Sequence, residues 1–217
     1  MYGQIDNFEF VEVINSRNEK KWDKFIFIDD AEDVATQING YDVFSYAKAI
    51  ECFGDALDVI IAIGEPVIRQ KLYDKLVADN IHMPTLINPD SYVSKTAVIG
   101  EGTVIRYGSS IFANAKLGKN VCVNPHANIG HDVQIGDGTM ISALCNIAGA
   151  VHIGEYSYIG MNTAVRELVS IGNHSVVSMG MIISDDVPDH ALAIGNPVRL
   201  IRIGETFRVF KKSKSNH

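Results

Sequence analysis

The chain has 217 residues and, with 26 acidic against 19 basic side chains, a net charge of −7, which argues against nucleic acid as its main partner because phosphate binding needs a basic footprint. No apolar run approaches the roughly 20 residues of a membrane span. Hydrophobic content of 47% and charged content of 21% suit an ordinary globular protein with room for one or two domains.

The first part of the chain alternates strand and helix patterns. "WDKFIFIDD" (22–30) is a strand ending in paired acids, and "INGYDVF" (38–44) is a turn and a short strand. "LDVIIAIGEPVIRQKLYDKLVADN" (57–80) is a buried strand, a turn and a helix. The alternation predicts a small α/β domain with a parallel sheet over residues 1–82. Asp29, Asp30 and Gly64 fall at carboxyl ends of strands, where open α/β sheets bind ligands, so they are candidate substrate contacts. Acids after strands are as often solvated loop residues. No G-x-G-x-x-G fingerprint is present. "HMPTLINPDS" (82–91), with two prolines, links this domain to the next.

From Ile87 to Ile183 every sixth residue is Ile, Leu or Val, without interruption. The residue after it is often Gly, as at Gly100, Gly118, Gly130, Gly136, Gly154, Gly160 and Gly172. The residue four after it is small or β-branched, from Thr103 to Ser175. This beat predicts a parallel β-helix over 83–186, with large aliphatics and small residues inside and Gly accommodating the corner dihedrals. Three steps close a coil, so residues 18 apart lie above one another. A β-sandwich would turn at irregular intervals. Cys145, an inward small position, is expected to be packing. With Cys52 and Cys122 it makes neither a disulfide framework nor a zinc knuckle, and the absence of a signal-peptide pattern fits a reducing cytoplasm.

The stacking rule places Gly149 directly above His131, and Gly160 one coil above Ser142 and two above Asn124. His131, between Gly130 and Asp132 in "GHD", stands out among seven histidines as a candidate general base, since imidazole titrates near neutrality. Its other nitrogen needs an acceptor, for which Asp132 or a carboxylate from elsewhere is available. The last part, 187–217, ends in the basic "FKKSKSNH".

The order of "FIDD", "AIGEPVIRQKL", "TLINPDS", the coils with "NPHANIGHDVQIGD", and "ALAIGNPVRLIR" resembles the bacterial hexapeptide-repeat sugar acetyltransferases. Within them the sialic acid O-acetyltransferase and bacillosamine N-acetyltransferase group is the nearest match, over roughly Phe25 to Arg202. The resemblance implies a left-handed β-helix, a homotrimer with each active site between two subunits, and acetyl-CoA as cosubstrate without a metal. It implies His131 as catalytic base beside Asp132, Asn124 as a substrate contact, and Gly149 as the donor to the thioester carbonyl. Ser142 and Gly160 would then track the pantetheine arm. "AIGNPVRLIR" would line the coenzyme's route through Ile194, Gly195, Pro197 and Arg199, with Arg202 and Lys211 as further phosphate candidates. The favoured acceptor is a nucleotide-linked 4-amino-4,6-dideoxy sugar for a surface polysaccharide such as the O-antigen of lipopolysaccharide. The alternative is O-acetylation of a sugar or sialic acid. One departure stands: "MYGQIDNFEFVEVINS" does not carry the opening strand and glycine-rich turn usual in that group. Two remoter alternatives remain. His126 and His131, five apart, resemble two zinc ligands of γ-class carbonic anhydrases, although a third histidine two coils earlier is missing. The prism could also be a non-catalytic oligomerisation subunit.

Overall fold

The computed structural model describes residues 2–3, 22–31 and 36–210. Residues 86–183 form a three-faced parallel β-helix. Each face is a parallel sheet of two-residue strands, and each coil pairs with the next at an offset of 18, as in Ser110 with Asn128 and Asn128 with Asn146. One face has six strands, from Tyr92–Val93 to Ile182–Ile183, and a second has five, from Val98–Ile99 to Ser170–Ile171. The third has eight, beginning at Leu86–Ile87.

The six-residue beat has the predicted interior. Ile105, Ile111, Ile129, Ile141, Ile153, Ile159 and Ile171 are wholly buried, and so are Ala115, Val121, Ala127, Val133 and Cys145 at the small position. Cys145 donates its thiol to the Gly160 carbonyl at 3.1 Å, and burial pushes its pKa up to about 11, so it is packing and not a nucleophile. The hydroxyls at the small position satisfy the backbone. Thr139 Oγ1 donates to the Gly154 carbonyl (2.6 Å) and accepts the Ser157 N–H (3.1 Å). Ser157 Oγ repeats the pattern with Gly172 and Ser175. A polar atom is thus buried at no loss of hydrogen bonding.

The corner glycines need correction. Every sixth residue from Gly102 to Gly180 has a φ between 50° and 71°, and only four of these fourteen are glycine. That left-handed position lies two residues beyond the glycine-rich one. The repeated glycines serve close approach instead. A methyl on Gly136 would stand 2.6 Å from the Glu155 nitrogen of the next coil, and one on Gly154 would stand 2.6 Å from that of Asn173.

The last coil shortens its offset to 16, as Val176 pairs with Leu192. Ala191–Ile194 then turns through Gly195 and pairs antiparallel with Arg199–Arg202. The first half of the last part, 187–217, therefore extends the eight-stranded sheet.

In the N-terminal part, Phe27–Ile28 lies parallel to Tyr41–Phe44, which is also paired with Gln37–Ile38 through an Asn39–Gly40 turn with both φ positive. The strand's alternation faces two cores. Ile26 and Ile28 pack with Val59, Ile61 and Leu76, whereas Phe27 packs with Leu86 and Val104 of the β-helix. Helices Tyr46–Phe53 and Pro66–Ala78 complete the layer. Tyr2–Gly3 pairs in parallel with Ile61–Ala62. A short opening strand is therefore present where the sequence suggested a missing one, since two residues are too few to leave a periodic signal. The residues following it lie outside those described.

These two glycine roles separate by experiment. Gly136→Ala should cost about 1–3 kcal/mol through the forced shift of the next coil. Gly180→Asn, at a left-handed position with open space around it, should stay within about 0.5 kcal/mol. Equal melting temperatures for the two variants would refute the close-approach account.

Candidate active site

The prism has three corner edges. His131 and Asp132 follow strand Asn128–Ile129, on the edge where the six-stranded face meets the five-stranded one. Asp132 takes the left-handed corner position (φ 59°), which curls its carboxylate back onto the preceding side chain. His131 Nδ1 and Asp132 Oδ2 stand 2.8 Å apart. Adjacent residues thus face the same way here, and no carboxylate from elsewhere is needed.

Asp132 is itself held. Its Oδ1 accepts from Asn114 Nδ2 at 3.0 Å, one coil below, and the Asn114 N–H donates to Thr96 Oγ1 a coil lower. The hydrogen bonds from His131 and then Asn114 keep the Asp132 carboxyl below the usual carboxylate range. An ionised Asp132 accepts the Nδ1–H of neutral His131, which leaves the Nε2 lone pair free. Asn114 carries no signal of its own in the sequence, although counting 18 back from Asp132 leads to it.

Gly149 lies where the stacking arithmetic puts it. A methyl there would collide with His131 Nε2 and Cε1, so only glycine leaves room for the ring. The Gly149 carbonyl accepts the Leu168 N–H (3.2 Å), while its own N–H bonds to no described residue. His131 and Asp132 are both largely exposed, with side-chain accessibilities of 68% and 52%.

A second cluster occupies a different edge, where the eight-stranded face meets the six-stranded one. Asn124, Ser142, Gly160, Ser178 and Ile194 form one column there by the coil offsets. Asn124 and Ser142 line a cavity of about 580 Å³ closed on its other side by Ile60–Glu65 of the N-terminal domain, Gly64 included. Arg106 Nη1 reaches Asn124 Oδ1 at 3.4 Å inside it. The cavity's back wall is Arg69, which is 1% exposed. Its Nη1 donates to the carbonyls of Ile61 (2.8 Å) and Ile63 (3.1 Å), and its Nη2 to the carbonyl and side-chain oxygens of Asn120 (both 2.6 Å).

Other expected contacts are placed as follows. Ser142 shares the cavity of Asn124. Gly160 is buried: its N–H is bonded to the Val177 carbonyl, its carbonyl is taken by Cys145, and its hydrogen faces the Met179 nitrogen. It is a packing glycine with no group free for a ligand. Asp29 and Asp30 do not line the cavity. Asp29 accepts from the Ala31 N–H (3.0 Å), while Asp30 accepts the Tyr46 N–H (2.7 Å) and pairs with Lys75 at 3.7 Å. Their carboxylates order the loop and the first helix instead. Ile194, Gly195, Pro197 and Arg199 do come together, on the exposed hairpin tip above the Asn124 column, with Gly195 at φ 89°. Lys211 lies outside the described residues. His126 stands edge-on to Tyr107, 5.2 Å between ring centroids. Among the described residues no group of three His, Cys, Asp or Glu side chains could hold a metal, and no helix is long and apolar enough to cross a membrane.

Comparison with known proteins narrows the class. The PglD N-terminal domain family matches residues 9–76, and the bacterial transferase hexapeptide family (six repeats) matches 114–149. Residues 9–76 thus resemble the PglD N-terminal domain, and residues 114–149 the bacterial hexapeptide repeat. UDP-N-acetylbacillosamine N-acetyltransferase of Bacillus subtilis (strain 168) is 48% identical over 46 residues, a stretch covering 21% of this chain and 21% of that protein. Among solved structures, a histidine variant of perosamine N-acetyltransferase from Caulobacter crescentus, in complex with CoA and GDP-perosamine, superimposes with a TM-score of 0.82 at 25% identity. It covers 92% of this chain and 94% of its own. The acetyltransferase domain of PglB from Neisseria gonorrhoeae FA1090 with acetyl coenzyme A gives 0.81 at 26% identity, over 92% and 97%. WeeI from Acinetobacter baumannii AYE gives 0.84 at 28% identity over the same shares. These matches show the likeness to the hexapeptide-repeat sugar acetyltransferases that the motifs carried.

The hold on Asp132 can be measured directly. Its folded pKa lies below the ordinary 3.8, so the pairing adds stability above that pH and loses it as the pH falls through the folded value. Asn114→Gly keeps the backbone angle and deletes one hydrogen bond. The Asp132 carboxyl carbon should then titrate at higher pH by NMR, and an unchanged titration would remove Asn114 from the site.

Proposed function

We propose that the protein is a cytoplasmic, acetyl-CoA-dependent N-acetyltransferase acting on a nucleotide-linked amino sugar, a 4-amino-4,6-dideoxy sugar destined for surface polysaccharide. The observation that carries this is the His131–Asp132 pair facing Gly149. The relatives' bound CoA and GDP-perosamine support the choice of both substrates. The imidazole is largely exposed, with its Nε2 beside Gly149. As the acceptor nitrogen attacks the thioester carbon, Nε2 takes its proton, and Asp132 steadies the resulting imidazolium. The unbonded Gly149 N–H donates to the developing oxyanion. The protonated His131 then returns the proton to the departing thiolate.

The acceptor cavity and His131 stand on opposite edges of the six-stranded face, one six-residue step apart, which is up to roughly 20 Å of extended chain. Each cavity thus lies across a whole face from its own subunit's His131. A homotrimer resolves this. With three six-stranded faces turned towards a three-fold axis, the Asn124 edge of one subunit meets the His131 edge of the next. Exposure supports that face. Of nine exposed large hydrophobics between 86 and 183, eight lie on it or its two edges: Tyr92, Tyr107, Phe112, Leu144, Met161, Leu168, Met179 and Ile182. The groove between the two edges leads up to the Gly195–Arg199 hairpin, where the coenzyme's phosphates would meet Arg199.

The direct test is kinetic, on a trimer verified by mass. His131→Ala should lose turnover by about 10²–10⁴ while acetyl-CoA affinity, measured by calorimetry, changes little. Gly149→Val should raise the acetyl-CoA KM and lower kcat together. A His131→Ala variant keeping more than roughly a tenth of the wild-type rate would assign the base elsewhere.

Nitrogen and oxygen acceptors separate by product chemistry. An amide resists mild alkaline hydroxylamine, whereas an O-acetyl ester is cleaved. Hydroxylamine-labile product from sialic acids alone, with every nucleotide-linked amino sugar ignored, would replace this reading with O-acetylation.

A further inference from the structure

After the hairpin the chain crosses back to the N-terminal domain. The Ile203 N–H donates to the His190 carbonyl (2.8 Å), Phe207 closes a turn on Gly204 (2.9 Å), and the strap reaches the acceptor cavity at Phe210. There the Phe210 N–H donates to Glu65 Oε2 at 3.1 Å. Glu65 is only 8% exposed and sits at the start of the Pro66–Ala78 helix, where its side chain makes no capping bond of its own. The carboxylate serves to hold the strap down.

That latch aims the Phe210 ring into the cavity. The ring stands edge-on to Tyr158, with centroids 5.5 Å apart. It lies so close to the Gly64 turn that a methyl on Gly64 would be 3.2 Å from Phe210 Cε2 and 3.5 Å from Met140 Sδ. Phe210 nevertheless stays 51% exposed, so one side of the ring faces open space. Ile63, Met140, Tyr158 and Met161 continue the lining beside it. This wall is apolar, and it adjoins Asn124 and Ser142.

We propose that Phe210 is a specificity-determining residue for the acceptor. Its ring, with Met140 and Tyr158, packs against the apolar face and C6 methyl of a deoxy sugar and disfavours a 6-hydroxyl. This rests on the reading of the cavity as the nucleotide-sugar site. A primary hydroxyl turned to this wall loses water without gaining a partner. An apolar pocket discriminates a methyl from a hydroxymethyl group by at most about a hundredfold. The C-terminal strap is thus part of the acceptor site and not of the coenzyme's route.

The test uses the full chain, acetyl-CoA, and two nucleotide-linked 4-amino sugars that differ only in a 6-methyl or 6-hydroxymethyl group. Phe210→Ala should raise the KM of the 6-deoxy acceptor about tenfold and narrow the preference between the two. The acetyl-CoA KM should stay within about twofold, and Phe210→Tyr should restore the wild-type acceptor KM. An unchanged acceptor KM, or a rise in the acetyl-CoA KM instead, would overturn the role of Phe210 while leaving the acetyltransferase reading intact. A wild-type protein that acetylates neither sugar would overturn the acceptor reading and this assignment with it.

Discussion

Coil-to-coil pairing at an offset of 18 is the constraint on which the rest depends. Because the strand hydrogen bonds run between coils, each side chain has a fixed neighbour above and below. Inside, this stacks aliphatics on aliphatics and links hydroxyls into ladders such as Thr139, Ser157 and Ser175. Outside, the same register makes Asn114 hold Asp132 and sets Gly149 against His131. The site is therefore built from columns and not from a loop, and its geometry is as rigid as the prism.

Arg69 couples that prism to the other domain. A fully buried guanidinium is expensive to desolvate, and burial lowers its pKa here. Four carbonyl-type contacts offset the cost, two from the strand Ile61–Ala62 and its extension and two from the Asn120 corner. The coverage is incomplete, since Arg69 Nε and Asn120 Nδ2 are buried without partners. These bonds hold Gly64 opposite Asn124 and so fix the width of the cavity. Replacing Arg69 with an aliphatic residue would strand the carbonyls it serves and loosen the two domains together.

The prism was legible because its signal is repetitive. One aliphatic every six residues gave the coil length, the inward positions and the Gly149 stacking by arithmetic. The glycines misled because two physical demands, left-handed corners and close approach, lie two residues apart, and Asn, Asp, His, Tyr, Ala and even Leu hold the first at ten of its positions. Gly160 stands in the column where the spacing puts it, but its bonds to Val177 and Cys145 leave no trace in the sequence. Asp29 and Asp30 sit at strand ends as expected, but a carboxylate near a helix start is as easily spent on the Tyr46 N–H as on a ligand. The strap could not be read at all. Nothing local in "TFRVF" says that Phe210 bonds to Glu65, 145 residues earlier, because that contact exists only once the whole chain is folded.

The division of the site between two edges follows from the prism itself. A three-faced coil has flat sides and offers no deep pocket of its own, since its interior is filled to the axis by Ile, Leu and Val. Depth has to come from something laid against it. The N-terminal domain and the strap supply it at the Asn124 edge, while the His131 edge stays open, with its imidazole largely exposed. An exposed base is a poor catalyst alone, because water competes for its proton and screens the oxyanion donor. In the proposed trimer, a second subunit's cavity would close that edge, exclude the water and bring the acceptor to Nε2 in one step. On this argument a monomer would bind the acceptor and fail to acetylate it.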